Sequence, residues 1–158
     1  MMTVDLEKKK ILFLCTGNSC RSQMAEAWAR ELLGGEIEPY SAGVEPQRVD
    51  QRAVRIMREA GIDISQHTSK HVDSLCHIAF DAVITLCGHA RETCPLFTGA
   101  ARRFHRGFDD PSKMSADSEE KIMKNYRRVR DELEAFVKEL PSLFEEPDDG
   151  FIIFNEDV

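Results

Sequence analysis

The sequence predicts an α/β fold: a single domain built on an open parallel four-stranded sheet with helices on both faces. Three observations carry this. Short apolar stretches alternate with longer stretches of helical periodicity along the chain. The first apolar stretch, Ile11-Leu12-Phe13-Leu14, is unbroken, as expected of a strand buried on both faces of a parallel sheet. And 158 residues, 42% of them hydrophobic, fill one core that buries roughly two-thirds of the unfolded surface, with no room for a second. No internal repeat is visible.

Ile11–Leu14 is the first strand. From Cys20 to Leu33 the residues Met24, Ala25, Trp28, Leu32 and Leu33 recur at helical steps, and Gly34-Gly35 supplies a stop. Ile37 to Ala42 reads as a second strand, weakened by Pro39 and ended by Gly43. Val49 to Ala60 is a helix with Ala53, Val54, Ile56, Met57 and Ala60 on one face, closed by Gly61. Phe80 to Leu86 is a strand that delivers the chain to Cys87, and Arg102 to Phe108 is a last, more polar one that ends at Asp109-Asp110-Pro111.

A long helix follows from about Ser118 to Leu140, with Ile122, Tyr126, Val129, Leu133, Phe136, Val137 and Leu140 on one stripe, Asp117 or Ser118 as its cap and Pro141 as its stop. This places the domain at residues 10–143. Residues 144–158 form a tail in which the acidic Glu145–Gly150 precedes Phe151-Ile152-Ile153-Phe154. It is expected to pack as a chain end on its own domain, with a partner-binding peptide as the alternative.

The formal charge of −7, from 21 Lys and Arg against 28 Asp and Glu, opposes bulk attraction to nucleic acid or to an anionic membrane. Anion chemistry, if present, is local. No stretch approaches the roughly 20 apolar residues of a membrane span, and the apolar run after Lys8-Lys9-Lys10 is too short for a signal-peptide core. Five cysteines, an odd number in a chain of this size, argue against a disulfide framework and for a cytoplasmic location with reduced thiols.

Between the first strand and the first helix lies Cys15-Thr16-Gly17-Asn18-Ser19-Cys20-Arg21-Ser22. A loop of this length at a helix amino terminus turns successive backbone N–H groups inward, making a nest for a tetrahedral oxyanion. Arg21 adds a planar, two-pronged grip, and the same positive surroundings favour the thiolate form of Cys15 as a nucleophile. Gly17 permits close backbone approach, Ser22 can donate to the sulfur, and Cys20 is a small side chain near the anion without a part in the chemistry. The bland alternative is a buried strand cysteine beside a solvated arginine.

The stretch Cys15 to Glu26, CTGNSCRSQMAE, resembles the anion-binding loop of the low-molecular-weight tyrosine phosphatase fold and, more narrowly, that of the thioredoxin-coupled arsenate reductases. The resemblance extends over roughly Lys10 to Leu140 through Ser41-Ala42-Gly43, His67-Thr68-Ser69, Cys87, Cys94, Asp110-Pro111 and the helix around Arg127 to Leu133. It implies that Cys15 attacks arsenate, with phosphate and sulfate as competing anions, while Asp110 protonates a leaving oxygen; Asp109 is the alternative acid. Cys87 then forms a Cys15–Cys87 disulfide, and Cys94 converts it to Cys87–Cys94, which thioredoxin reduces. A phosphatase needs one thiolate, whereas reducing As(V) takes two electrons, which a thiol pair supplies.

The spacing of Cys76-His77 and Cys87-x-His89 lacks a zinc knuckle, so no metal or other cofactor is expected, and Cys76 reads as packing. His67, His71 and His105 are expected on the surface or in loops. Some reductases of the resembled family hold potassium near the loop. Asn18, Glu26 and Ser41 match its ligands, but Lys70 stands where an acidic one belongs, which implies no potassium requirement. After Pro111 come Ser112, Lys113 and Met114, without the tyrosines of the eukaryotic-type phosphatases. Phosphate-monoester hydrolysis is the alternative activity, and a non-catalytic oxyanion or redox sensor docking through Phe151–Phe154 is the third reading.

Overall fold

In β1 (Lys9–Cys15) the side chains of Ile11, Leu12, Phe13 and Leu14 are wholly inaccessible, because the strand has parallel neighbours on both sides. These come from a computed structural model that describes residues 7–95, 101–147 and 152–155. β2 (Ile37–Gly43) and β3 (Ala82–Thr85) flank β1, and β4 (Arg102–Arg106) lies beyond β3. Pro39 is accommodated because β2 is an edge strand, where a missing N–H removes no ladder bond on the outer side.

The four parallel strands follow the expectation, and the tail adds a fifth: β5 (Ile152–Asn155) runs parallel to β4 with Phe104 opposite Ile152 and a register shift at His105/Arg106. Phe151, which the sequence grouped with this strand, lies outside the described residues. The order β2-β1-β3-β4-β5 reverses direction between β1 and β3. In open parallel sheets such a reversal leaves a crevice beyond the carboxyl ends of the two strands. Cys15 ends β1, and Cys87 follows β3 by two residues.

α1 (Arg21–Leu33) buries Met24, Ala25 and Ala29 completely. α2 (Gln51–Glu59) begins after the expected Val49 because the Asp50 side chain takes the cap, accepting from Arg52 N at 2.8 Å. The chain turns out of it just past the Ala60 cap at Gly61, whose φ of +84° is the left-handed conformation that favours glycine. α3 (Gly88–Thr93) is a short helix after β3. α2 is tied to the last helix by Glu59, whose carboxyl is pulled down to about 2 chiefly by hydrogen bonding from Arg127.

Two expectations are corrected. α4 (Glu119–Glu145) does not stop at Pro141 but runs one turn past it. Leu143 and Phe144 pack against the core, and Phe144 meets the Phe104 ring edge-on at 5.8 Å; this burial offsets the one helix hydrogen bond that proline forfeits. His105 is not a surface residue: it is 0% exposed on β4, with Nδ1 2.8 Å from Thr85 Oγ1. His71 is exposed, and His67 is half-buried in a loop. Among the described residues no helix is long and apolar enough to cross a membrane.

Candidate active site

The loop from Cys15 to Ser22 is fastened by its carbonyls. Those of Cys15, Thr16, Gly17 and Ser19 accept from the backbone N–H groups of Val44, Glu45, Gln47 and Asp50 at 3.2, 2.8, 2.8 and 2.8 Å. The fifth, that of Asn18, accepts from Gln23 Nε2 at 3.0 Å and Ser69 Oγ at 2.7 Å. Because the C=O and N–H of a trans peptide point in opposite directions, fixing these carbonyls outward turns the intervening N–H groups towards the enclosed side. One of them is already in use, Asn18 N donating to Cys15 Sγ at 3.3 Å.

The inner face is equally constrained. Asn18 has a φ of +49°, unusual for a residue with a Cβ, and is held there by Lys70 N donating to its Oδ1 at 2.8 Å and by its own Nδ2 donating to Ser22 Oγ at 2.8 Å. Ser22 Oγ in turn lies 2.8 Å from Cys15 Sγ, as its place in the loop anticipated. Gly43 lets the loop sit this close to β2: a Cβ there would fall 2.6 Å from Thr16 O and 2.8 Å from Asn18 N. Cys15 itself is 2% exposed.

Thr16, Gly17, Ser19, Cys20 and Arg21 line a small cavity of about 40 Å³, closed by Asp110 and neighbouring residues. Arg21 is placed from two sides, Nη1 donating to Phe108 O at 3.1 Å and Nη2 lying 3.4 Å from Asp110 Oδ2. The choice between the two aspartates is made by tertiary contact. Asp109 is drawn to Arg128 of α4 at 2.9 Å, while Asp110 faces the cavity with its other oxygen fixed by Ser112 N at 3.0 Å and Ser112 Oγ at 2.6 Å. A buried thiol within the loop and an arginine and a carboxyl lining the cavity form an arrangement able to attack a tetrahedral oxyanion and protonate what leaves.

A sequence model described as "Low molecular weight phosphotyrosine protein phosphatase" matches residues 10–147. The chain belongs to this family. Within it, the chain is 52% identical over 134 residues to the arsenate reductase of Bacillus licheniformis, covering 84% of this chain and 95% of that protein. A solved structure of an arsenate reductase in a phosphate-binding state superposes with a TM-score of 0.65 at 33% identity, over 85% of this chain and 98% of that one. The low molecular weight protein tyrosine phosphatase of T. tengcongensis superposes with a TM-score of 0.68 at 28% identity, over 86% of this chain and 99% of that one.

Besides the loop and Asp110, the structure places a second thiol next to the loop. Cys87 Sγ lies 3.2 Å from Thr16 Oγ1 and accepts from Ala90 N at 3.4 Å, so it is both a neighbour of the anion loop and the cap of α3. Cys94 stands at the opposite end of α3, partly buried. Seven helical steps of about 1.5 Å put the two Cα atoms about 10 Å apart, beyond the roughly 7 Å limit of a disulfide. Among the described residues all five cysteines are free. Burial raises the thiol pKa of Cys20 well above its usual range, reinforced by Asp50 and Asp110, which keeps it neutral beside Cys15.

The residues matched to a potassium site do not fit one here. Glu26 accepts from Ser41 Oγ at 3.0 Å and from Arg30 Nη1 at 3.1 Å, Asn18 Oδ1 is taken by Lys70 N, and Lys70 Nζ donates to Thr68 O at 2.9 Å. The ammonium's pKa is lowered by burial, against the opposing pull of Glu26. Gln23, Phe108 O, Asp50 and Tyr126 were missed in the sequence, although Tyr126 was placed on the α4 stripe. Tyr126 donates from α4 to Asp50, whose N–H holds Ser19 O, but a carbonyl or a cross-molecule bond leaves no local sequence mark.

Proposed function

We propose that the protein reduces arsenate to arsenite, with thioredoxin as the reductant. Cys15 attacks arsenate held by the loop N–H groups and Arg21, and Asp110 protonates the departing oxygen, giving a Cys15 thioester of arsenic(V). The Cys87 thiolate then attacks Cys15 Sγ. A Cys15–Cys87 bond forms, the sulfur–arsenic bond breaks with its electron pair moving to arsenic, and arsenite leaves. Cys94 attacks Cys87, freeing Cys15 as a thiolate and leaving a Cys87–Cys94 disulfide for thioredoxin to reduce. The relay needs reduced thiols at rest, consistent with the cytoplasm.

The observation that carries this reading is Cys87 Sγ at 3.2 Å from the loop hydroxyl of Thr16, a second nucleophile that hydrolysis does not require. The separation of Cys87 and Cys94 requires α3 to unwind for the last step. The test is NADPH consumption coupled through thioredoxin and its reductase: arsenate-dependent oxidation is expected in the native protein and absent from Cys87→Ser. Rapid aryl-phosphate hydrolysis without arsenate-dependent oxidation would replace it with the second reading, a phosphatase. That reading draws on a groove of about 840 Å³ beginning at Ser19 and passing Gln47 and Arg48, which has room for a leaving group. Among the described residues its walls carry no tyrosine, tryptophan or phenylalanine to stack on an aryl ring.

A further inference from the structure

The final thiol of the relay must ionise to attack, yet it sits in unfavourable surroundings. Burial is the main influence raising the pKa of the Cys94 thiol, and the nearby Cys76 adds to it; Arg103 is the one charge that opposes them. Geometry explains the opposition. Cys94 Sγ donates to Pro95 O at 3.6 Å, and Arg103 Nη2, reaching over from β4, donates to the same oxygen at 3.2 Å. Thiol and guanidinium thus converge on one carbonyl. When the thiol loses its proton it can no longer donate to that oxygen, and the guanidinium beside it is positioned to pair with the thiolate instead.

We propose that Arg103 is the positioning residue that activates Cys94, holding a positive charge beside the sulfur so that it ionises in the folded state and is already a thiolate when the unwinding of α3 carries it to the Cys15–Cys87 disulfide. This rests on the relay described above. In the step itself the Cys94 proton passes to solvent, the Cys87–Cys94 bond forms, the Cys15–Cys87 bond breaks, and Cys15 leaves as a thiolate, with no net change in oxidation. Arg103 takes no part in the earlier chemistry, since it donates to Pro95 O at the end of α3 away from Cys87 and the anion loop.

The reduced full-length protein is mixed with arsenate in the absence of thioredoxin. Arsenite release and, after acid quench and thiol alkylation, the disulfide pairing are followed in time from neutral to alkaline pH. Arg103→Gln, which keeps a donor for Pro95 but no charge, is expected to release arsenite at the native rate. Conversion of Cys15–Cys87 to Cys87–Cys94 is expected to slow about tenfold near neutrality, its pH midpoint rising by about one unit and its rate recovering in alkali. Arg103→Lys restores most of the rate. An unchanged midpoint in Arg103→Gln overturns the proposal. Failure of the native protein to form either disulfide overturns the relay, a separate outcome read before any variant is compared.

Discussion

Cys15 and Cys87 each stand just where a parallel strand gives way to a helix, yet the two segments that follow are built to opposite ends. After Cys15, five consecutive carbonyls are bonded outward, Asn18 and Ser22 are wholly buried, and a helix of 13 residues follows. After Cys87 comes a helix of six residues, capped by the cysteine's own sulfur. Helices this short have little stability of their own. In the proposed relay the first arrangement cannot move without losing its anion nest, whereas the second must come apart for Cys94 to reach Cys87. The contrast suits the proposed function: charge stabilisation calls for preorganised donors, and disulfide exchange calls for a segment that can travel.

The largest expected effect separates the two segments directly. Cys15→Ser removes the nucleophile and should lower arsenate reduction by at least about a thousandfold while inorganic phosphate still binds, measured by coupled turnover and by calorimetry. Cys94→Ser leaves the rigid half intact and should release about one arsenite per protein before stopping; sustained thioredoxin-driven turnover in that variant would break the contrast. Next in size is Gly43→Ala. Its Cβ would press on Thr16 O and Asn18 N at less than 3.0 Å, so kcat/KM should fall about tenfold or more while circular dichroism stays native. Cys87–Cys94 exchange in a pre-oxidised sample should be unaffected by it.

The smallest effect is a null one. Because Lys70 N, Lys70 Nζ, Ser41 and Arg30 already satisfy the oxygens around Asn18, Thr68 and Glu26, exchanging sodium for potassium at equal ionic strength should leave turnover unchanged. Several-fold activation by potassium would mean that the loop is less firmly held than its hydrogen bonds indicate.

Both segments were visible in the sequence to different depths. The anion loop is legible because its parts are close along the chain: a buried strand, a glycine, an arginine and a helix start. The register of the relay was not, since Cys87 and Cys94 are separated by a helix only once Gly88–Thr93 folds as one. Pro141 was misread as a stop because its local penalty is visible while the burial of Leu143 and Phe144 is not. His105 was misread for the same reason, its partner Thr85 lying on a neighbouring strand.

By itself the sequence determined four strands of a parallel sheet, three of the helices and the loop at the first turn, because side-chain periodicity, capping and backbone sterics act over a few residues. Tertiary structure decided that Asp110 rather than Asp109 faces the cavity, since Arg128 of α4 claims the other. It also decided that the tail supplies a fifth strand and that Arg103 meets Cys94 at a shared carbonyl. These depend on groups far apart in sequence whose charges and hydrogen bonds meet only when the sheet and α4 bring them together.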